Sequence, residues 1–224
     1  MAAARRCGVV LLATLAACAD PQLDAETRAG LPHSRAPDVG EVEVSRSDAA
    51  YEVSGVSTAE LLRSIHDHAR ATWPDPDGAG MTQVQIGADV KCQEYSNGGA
   101  LQDAKLKLSL VVTLPRWQDE ERAPKALRIA WGRFSGALRT HEEGHVEIAI
   151  RHAAALRVAF KAMKPEAACP DVLQRAEALI RNTDAAMMKE QLGYDASTNH
   201  GASQHGPSET GPNRRGRMTA RKTA

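Results

Sequence analysis

The sequence predicts an α+β fold in which a small, mainly antiparallel sheet packs against one long helix and further helices. Apolar residues stand at every second position of 105–113, which indicates a strand. From 124 to 163, large apolar residues recur every three or four positions, which is the period of a helix. Because both patterns occur in one chain of modest length, we expect the strand and the helix to share one core.

Length and composition support a single folded domain. The chain has 224 residues, of which 42% are hydrophobic and 25% charged. This length and apolar content are sufficient for one sizeable hydrophobic core and insufficient for two domains of ordinary size. The formal net charge is zero, but residues 18–201 carry 21 basic and 27 acidic side chains, a net charge of −6. Nucleic-acid-binding domains show clustered positive charge, so we expect no nucleic-acid partner.

The N-terminus has the features of a secretory signal peptide, with two arginines followed by a short apolar run. The junction Leu-Ala-Ala-Cys18 resembles a bacterial lipoprotein signal, in which Cys18 would carry the lipid that attaches the protein to a membrane. An ordinary signal peptide cut after Ala17 or Ala19 is the alternative. In either case we expect a cell-envelope protein, as a periplasm-facing lipoprotein, or a secreted one. The predicted organisation is a signal peptide (1–17), a flexible tether (18–49), one folded domain (50–201) and a disordered basic tail (202–224).

The folded region begins with a short strand at 51–56, followed by a helix to about Thr72. Ser57 and Glu60 have the spacing of a capping box, in which each side chain binds the backbone amide of the other. The sequence therefore predicts that the helix starts here.

A β-hairpin is predicted after this helix. Residues 82–94 alternate in places between apolar and polar, and 105–113 form the clearest strand in the chain. Asn97-Gly98, a common turn pair, lies between them.

The long helical stripe of 124–163 contains two histidines, so we expect both His141 and His145 on its buried side. Pro170 suits the first turn of a last helix, which is predicted over 171–191.

The long helix carries a His-Glu-x-x-His motif, which runs from His141 to His145. Residues four apart lie on one face of a helix, so the two imidazoles can converge on one Zn²⁺ at ~2.0–2.1 Å. Glu142 is rotated to the side of the metal, where it can take a proton from a metal-bound water. The alternative is two satisfied core histidines on an ordinary amphipathic helix. Burying two histidines and an acid costs free energy, however, and a metal ion would offset it.

Two cysteines remain, Cys92 and Cys169, if Cys7 leaves with the signal peptide and Cys18 is lipidated. Outside the cytoplasm, where conditions are oxidising, the simplest expectation is that these two cysteines form a disulfide. Two unpaired buried thiols are the alternative. Neither cysteine has a second one at metal-ligand spacing, which disfavours a cysteine zinc site.

Four short motifs spread over about 50–201 occur together. They are Tyr51-x-Val-x-Gly55, Thr113-Leu-Pro-x-Trp117, Trp131 ahead of His141-Glu-x-Gly-His145, and Tyr194-Asp195-x-x-Thr198-x-His200-Gly201. This combination resembles the bacterial predicted secreted zinc-dependent proteases, a family of the zincin group. The resemblance implies a zincin-like fold, a Zn²⁺ cofactor and a peptide or protein substrate.

The implied enzyme is an envelope metallopeptidase in which Zn²⁺ activates a water and Glu142 acts as general base. A catalytic zinc takes three protein ligands, and the helix supplies two. His200 is favoured as the third because its segment resembles a family motif. Tyr194 would donate a hydrogen bond to the developing oxyanion, and a strand edge at 105–113 would hold an extended peptide. Other candidates for the third ligand are Glu177, Asp184 and Glu190.

A different class of function uses the same residues. The alternative hypothesis is a zinc-stabilised envelope lipoprotein that has no catalytic activity and binds a protein or cell-wall partner. Another zinc hydrolase, such as an amidase, is a third possibility. Glu142 favours an enzyme, because a purely structural zinc site has no need of it.

Overall fold

The computed structural model describes residues 25–73 and 78–201. The predicted signal peptide, the lipidation site Cys18 and the predicted basic tail lie outside these ranges. In chain order the elements are α1 (Ala25–Ala29), β1 (Asp38–Val39), β2 (Glu43–Val53), α2 (Thr58–Thr72), β3 (Met81–Tyr95), β4 (Gly98–Trp117), a 3-10 turn (Glu120–Arg122), α3 (Lys125–Lys161) and α4 (Cys169–Thr198).

The central strand of the sheet is β4. On one side it pairs antiparallel with β3, as the predicted hairpin requires. On the other side it pairs parallel with β1 and β2. The α+β class is confirmed, but the prediction of a mainly antiparallel sheet is wrong, because two of the three strand pairings are parallel.

The connection through α2 explains the parallel pairing. This helix separates β2 from β3 in the chain, and the two strands lie on opposite sides of β4. After α2, the chain enters β3 in the direction opposite to β2. Because β4 runs antiparallel to β3, it runs in the same direction as β2. A parallel pair needs a long connection between its strands, and α2 together with β3 provides it.

The central position of β4 also corrects the expectation of a substrate-binding edge at 105–113. Residues 107–113 pair with β3 on one side and with β2 on the other, so their backbone groups are already hydrogen-bonded. Among the described residues, the outer edges of the sheet belong to β3 on one side and to β1 and β2 on the other.

The main core lies between one face of the sheet, α3 and α4. The even-numbered residues of β4 from 104 to 112 are at most 2% exposed, as the period-two pattern predicts. They pack with buried side chains of both helices, which include Val146, Ala149, Ala153, Leu156, Phe160, Val172, Ala176 and Ile180.

A second cluster lies under α2. It contains Tyr51, Val53, Leu61, Ile65, Ala69, Trp73, Trp117 and Ala123. The Tyr51 hydroxyl donates to the carbonyl of Ala79 at 2.7 Å, and the Trp117 indole N–H donates to the carbonyl of Gly55 at 2.9 Å. Aromatic residues of the first two sequence motifs therefore tether the loop after β2 and the segment before β3.

The predicted α2 start is confirmed, because the capping box between Ser57 and Glu60 is complete. The predicted long helix is also confirmed, as 37 continuous residues of α3. The last helix is longer than predicted and ends at Thr198 rather than at 191. The predicted disulfide is present, and joins Cys92 of β3 to Cys169 at the start of α4.

Residues 25–49, which are predicted to belong to a flexible tether, are packed against the domain. Arg28 of α1 donates to the carbonyl of Ala167 at 2.7 Å, and Val39 is 5% exposed. From Glu43 onward, the segment is strand β2. The prediction failed because an edge strand with one hydrogen-bonded partner can have a polar sequence without apolar periodicity. No helix within the described ranges is long and apolar enough to span a membrane.

Candidate metal centre

Three side chains converge between α3 and the C-terminal part of α4. The Nε2 atoms of His141 and His145 are 3.1 Å apart, and Asp195 Oδ1 lies 3.1 Å and 3.0 Å from them. Both histidines are buried, as predicted, and Asp195 is partly buried. The spacing of 141 and 145 puts the imidazoles one turn apart on the same face of α3, and the packing of α4 brings the carboxylate to them.

The histidines are oriented by hydrogen bonds on their other ring nitrogens. Gln191 donates through Nε2 to the backbone carbonyl of His145 at 3.1 Å, and its side-chain oxygen accepts from Nδ1 of the same histidine. Thr198 donates to the carbonyl of Tyr194 at 2.8 Å, so its oxygen can accept from Nδ1 of His141 at 3.2 Å. In their neutral forms, both imidazoles therefore direct an unprotonated Nε2 toward Asp195.

In that form the arrangement brings three electron-pair donors together, which is favourable only with a positive charge among them, either a metal ion or a proton on one imidazole. Two atoms bound to one zinc at ~2.0–2.1 Å with tetrahedral angles are ~3.3–3.4 Å apart. The observed separations of 3.0–3.1 Å come within a few tenths of an ångström of this value. Two imidazole nitrogens and one carboxylate oxygen are also a donor set used by catalytic zinc sites. The residues thus fit a zinc ion.

The electrostatics of the cluster also favour a cation. Burial alone would raise the pKa of Asp195, but the hydrogen bonds that His141 and His145 donate to it when protonated outweigh this effect and hold the pKa well below its ordinary value. Burial lowers the pKa of His145, whereas its hydrogen bonds to Asp195 and Gln191 raise it, and the net shift is upward. The carboxylate is therefore ionised near neutral pH and attracts positive charge to this position.

Glu142 lies beside the cluster and does not belong to it. It is 3% exposed, and its Oε2 accepts a hydrogen bond from the hydroxyl of Thr82 at 2.6 Å. Burial raises the pKa of Glu142, and the Thr82 hydrogen bond opposes that shift without cancelling it. The chain passes close by at Gly80, where a Cβ would lie 2.6 Å from Glu142 Oε1. The result is a buried carboxyl group with a raised pKa next to three possible metal ligands.

Tyr194 packs against both histidines. Its ring stacks on His141, with centroids 5.1 Å apart and planes 9° apart, and meets His145 edge-on at 5.1 Å. Its hydroxyl lies against Gly144, on the opposite side of the histidine face from Glu142. The structure thus places the predicted oxyanion donor within the site, in direct contact with the histidine rings.

Residues 49–201 match the family described as "Bacterial protein of unknown function (DUF922)". The chain belongs to this family. No curated protein and no solved structure matches it. The matched residues of this DUF922 chain include the three cluster residues, Glu142 and every side chain described above that orients them.

In this DUF922 chain, His200 does not join the cluster. Its Nδ1 is 4.0 Å from Asp195 Oδ1, and its side chain is half exposed. Asn199 and His200 both have left-handed backbone conformations, with φ of 49° and 50°, as the chain turns off the end of α4. This turn places His200 beside the cluster, while Asp195, one helical turn earlier, faces the two histidines.

The other predicted candidates for the third ligand point elsewhere on α4. Glu177 pairs with Arg181 at 3.3 Å, and Glu190 binds His152 at 2.8 Å. Asp184 is part-buried, and burial raises its pKa. It lies eleven residues before Asp195, about 16 Å along the helix axis. None of the three is in the metal-binding group found among the described residues.

Four residues of the site were not predicted from the sequence: Thr82, Gln191, Asp195 and Thr198. Two of them, Asp195 and Thr198, stand in the motif that carries the family resemblance. Their spacing from Gln191 offered a signal, because Asp195 is four residues after Gln191 and Thr198 three after Asp195, which puts all three on one face of a helix. The prediction that the last helix ends at 191 hid this relationship.

Proposed function

We propose that this protein is a zinc-dependent hydrolase that cleaves peptide bonds. The observation that carries the proposal is a His-His-Asp cluster with a buried glutamate, Glu142, beside it. The cluster would hold Zn²⁺ through His141, His145 and Asp195. A purely structural site does not need a second, separately held carboxylate with a raised pKa beside its three ligands.

The zinc ion, when bound, would polarise the scissile carbonyl and lower the pKa of a coordinated water. Glu142 would take a proton from the attacking water and then transfer it to the leaving amine. Thr82 holds Glu142 Oε2 at 2.6 Å, which leaves the other oxygen for this proton. The raised pKa makes Glu142 a better proton acceptor than an ordinary glutamate. A pKa nearer to neutral pH also suits a group that must both accept and release a proton.

Tyr194 would complete the site as a hydrogen-bond donor to the developing oxyanion. It lies on the far side of the histidines from Glu142, so the two groups would approach a bound carbonyl from opposite sides. Its stacking on His141 also fixes the orientation of that imidazole. We expect Tyr194→Phe to keep zinc and to slow turnover.

The substrate would bind as an extended chain along β3. This strand has no second partner among the described residues, and its Thr82 contacts Glu142 directly. An added peptide strand would gain main-chain hydrogen bonds there. A long active-site helix beside the antiparallel edge strand of a mixed sheet also supports the zincin-like description of the fold.

We propose an envelope location on the basis of the N-terminal sequence. The signal-like segment and Cys18 support a lipid-anchored or secreted protein. The disulfide between Cys92 and Cys169 agrees with an oxidising compartment.

The test compares wild type with Glu142→Gln and with a control variant, Glu147→Gln, which alters an exposed glutamate on the same helix. Zinc content and digestion of a peptide library are measured for all three. We expect equal zinc in all three proteins. Hydrolysis should fall by at least 10²-fold in Glu142→Gln alone, and it should disappear on chelation and return with zinc. Zinc binding without hydrolysis in wild type would instead support the zinc-stabilised, non-catalytic lipoprotein.

A further inference from the structure

A cavity of about 600 Å³ opens beside the candidate metal centre, between α2, the N-terminal half of α3 and the turn that follows α4. Its size lies within the range of small-ligand sites in proteins. The residues that form its walls are Leu62, Arg63, Ile65, His66, Gly78, Ala79, Phe134, Ala137, Leu138, Asn199, His200 and Gly201.

Two glycines, Gly201 and Gly80, mark where the cavity walls contact the metal centre. A Cβ at Gly201 would lie 3.0 Å from His141 Cβ, so the wall formed by Gly201 rests on a cluster residue. A Cβ at Gly80 would lie 2.6 Å from Glu142 Oε1 and 3.1 Å from Leu138 Cδ1. The wall residue Leu138 therefore lies close to Glu142, less than one helical turn before His141.

The walls of the cavity combine polar residues with an apolar part formed by α2 and α3. Ala137 and Leu138 of α3 are 7% and 5% exposed, and Ile65 of α2 is 6% exposed. Leu62, on the same helix, is 58% exposed and is a cavity wall residue. This apolar surface is hydrated unfavourably while the cavity is open to water. An apolar group that covered it would bind favourably, because both surfaces would be removed from water.

We propose that this cavity is the specificity pocket of the site and that it receives a large apolar side chain, of leucine or phenylalanine size, from a residue next to the scissile bond. The inference rests on the proposed function for the position of the bond that is cut. The peptide backbone would follow the edge of β3 past Gly80, and the side chain would turn toward Leu62 and Phe134. Peptides that lack such a side chain would bind weakly.

Binding and cleavage are measured separately with four peptides, acetyl-Ala-Ala-X-Ala-Ala-amide, in which X is Gly, Leu, Phe or Lys. Affinity is measured by calorimetry on zinc-loaded Glu142→Gln, which holds peptide without cutting it, and cleavage is measured on wild type. The wall variant is Leu62→Asp. The control is Val158→Asp, which changes an aliphatic residue of α3 that is 65% exposed and far from the cavity. Circular dichroism and thermal unfolding check that both variants are folded.

We expect the Leu and Phe peptides to bind about 10- to 100-fold more tightly than the Gly peptide, the range that burial of one apolar side chain gives. Leu62→Asp should abolish this preference and favour the Lys peptide, and Val158→Asp should leave it unchanged. Selective binding without cleavage would overturn the proposed function and leave the pocket standing. Cleavage with no preference for Leu or Phe, or with a preference that Leu62→Asp does not alter, would overturn the pocket.

Discussion

The hydroxyl of Tyr194 occupies the space that a side chain at Gly144 would need. A Cβ at residue 144 would lie 2.1 Å from the Tyr194 hydroxyl oxygen and 2.3 Å from Cζ, well inside van der Waals contact. Glycine in the middle of the His-Glu-x-x-His motif thus allows α4 to approach α3 closely. The next residue of α4 is Asp195, so the same close approach brings the carboxylate to the two histidines.

Gly144→Ala should therefore destabilise the protein by about 1–3 kcal/mol, the usual cost of overpacking. It should also weaken zinc binding, because the displaced Tyr194 moves Asp195. Gly136→Ala is the matched control, since nothing lies within 4 Å of a Cβ at that position of the same helix. Urea unfolding should show Gly136→Ala to be more stable than wild type by about 0.5–1 kcal/mol. Equal stability of the two variants would contradict the close packing of Tyr194 on Gly144.

Asp195→Asn should lower zinc affinity by roughly 10²-fold or more, because it replaces an ionised ligand with a neutral amide. His200→Ala should change zinc affinity far less, since His200 lies outside the cluster. Competition titrations with a chromogenic chelator give both values. The reverse order of the two effects would restore the sequence-based assignment of His200 as the third ligand.

Gln191→Ala should weaken zinc binding by about 10- to 100-fold, although Gln191 is not a ligand. The loss follows from the freed Nδ1 of His145, which no longer has an acceptor that fixes the ring. Gln191→Glu keeps an oxygen acceptor at the same place and should retain most of the affinity. A similar loss in both variants would show that the amide group acts through its other hydrogen bond, to the backbone carbonyl of His145.

Reduction of the Cys92–Cys169 disulfide should lower the free energy of unfolding by ~4 kcal/mol in the chain-entropy account, because the bond closes a loop with a sequence separation of 77. The double variant Cys92→Ser/Cys169→Ser should show the same loss without reductant. Thiol titration of the unfolded, non-reduced protein should find neither of these two cysteines. Two reactive thiols at these positions would contradict the bond.

Asp119 should make stability depend on pH in the acid range. Its carboxylate accepts hydrogen bonds from the Gly55 N–H at 2.8 Å and from Arg122, and these lower its pKa. A carboxyl group with a lowered pKa in the folded state stabilises the protein above its unfolded pKa of about 3.9. That contribution is lost as the pH falls through the folded-state pKa. Urea unfolding should therefore show wild type more stable than Asp119→Asn at pH 7, with a difference that narrows below about pH 4.

Local features of the structure were predictable because they depend on residues within one or two turns of each other. The capping box at Ser57 starts α2, a tight turn at Ser96-Asn97, one residue before the predicted pair, joins β3 to β4, and the spacing of His141 and His145 puts both imidazoles on one buried face. In each case the periodicity or the hydrogen-bonding group lies in the sequence itself. The disulfide was predictable for a different reason, since only two cysteines remained to form it.

The site was only partly predictable from the sequence. The sequence by itself determined the part of the site on α3, because two histidines one turn apart and a glutamate to their side follow from helix geometry alone. The tertiary structure alone decided that Asp195 completes the cluster, 50 residues after His145, and that Thr82 holds Glu142 from a strand 60 residues before it. It also decided that β4 is central and that, among the described residues, β3 forms the edge of the sheet beside Glu142. Such convergence depends on how closely two helices and a sheet pack, and here a glycine at 144 sets that distance for α3 and α4. Neither the register of α4 on α3 nor the order of strands is encoded in a local pattern, because many registers and orders bury the same apolar residues.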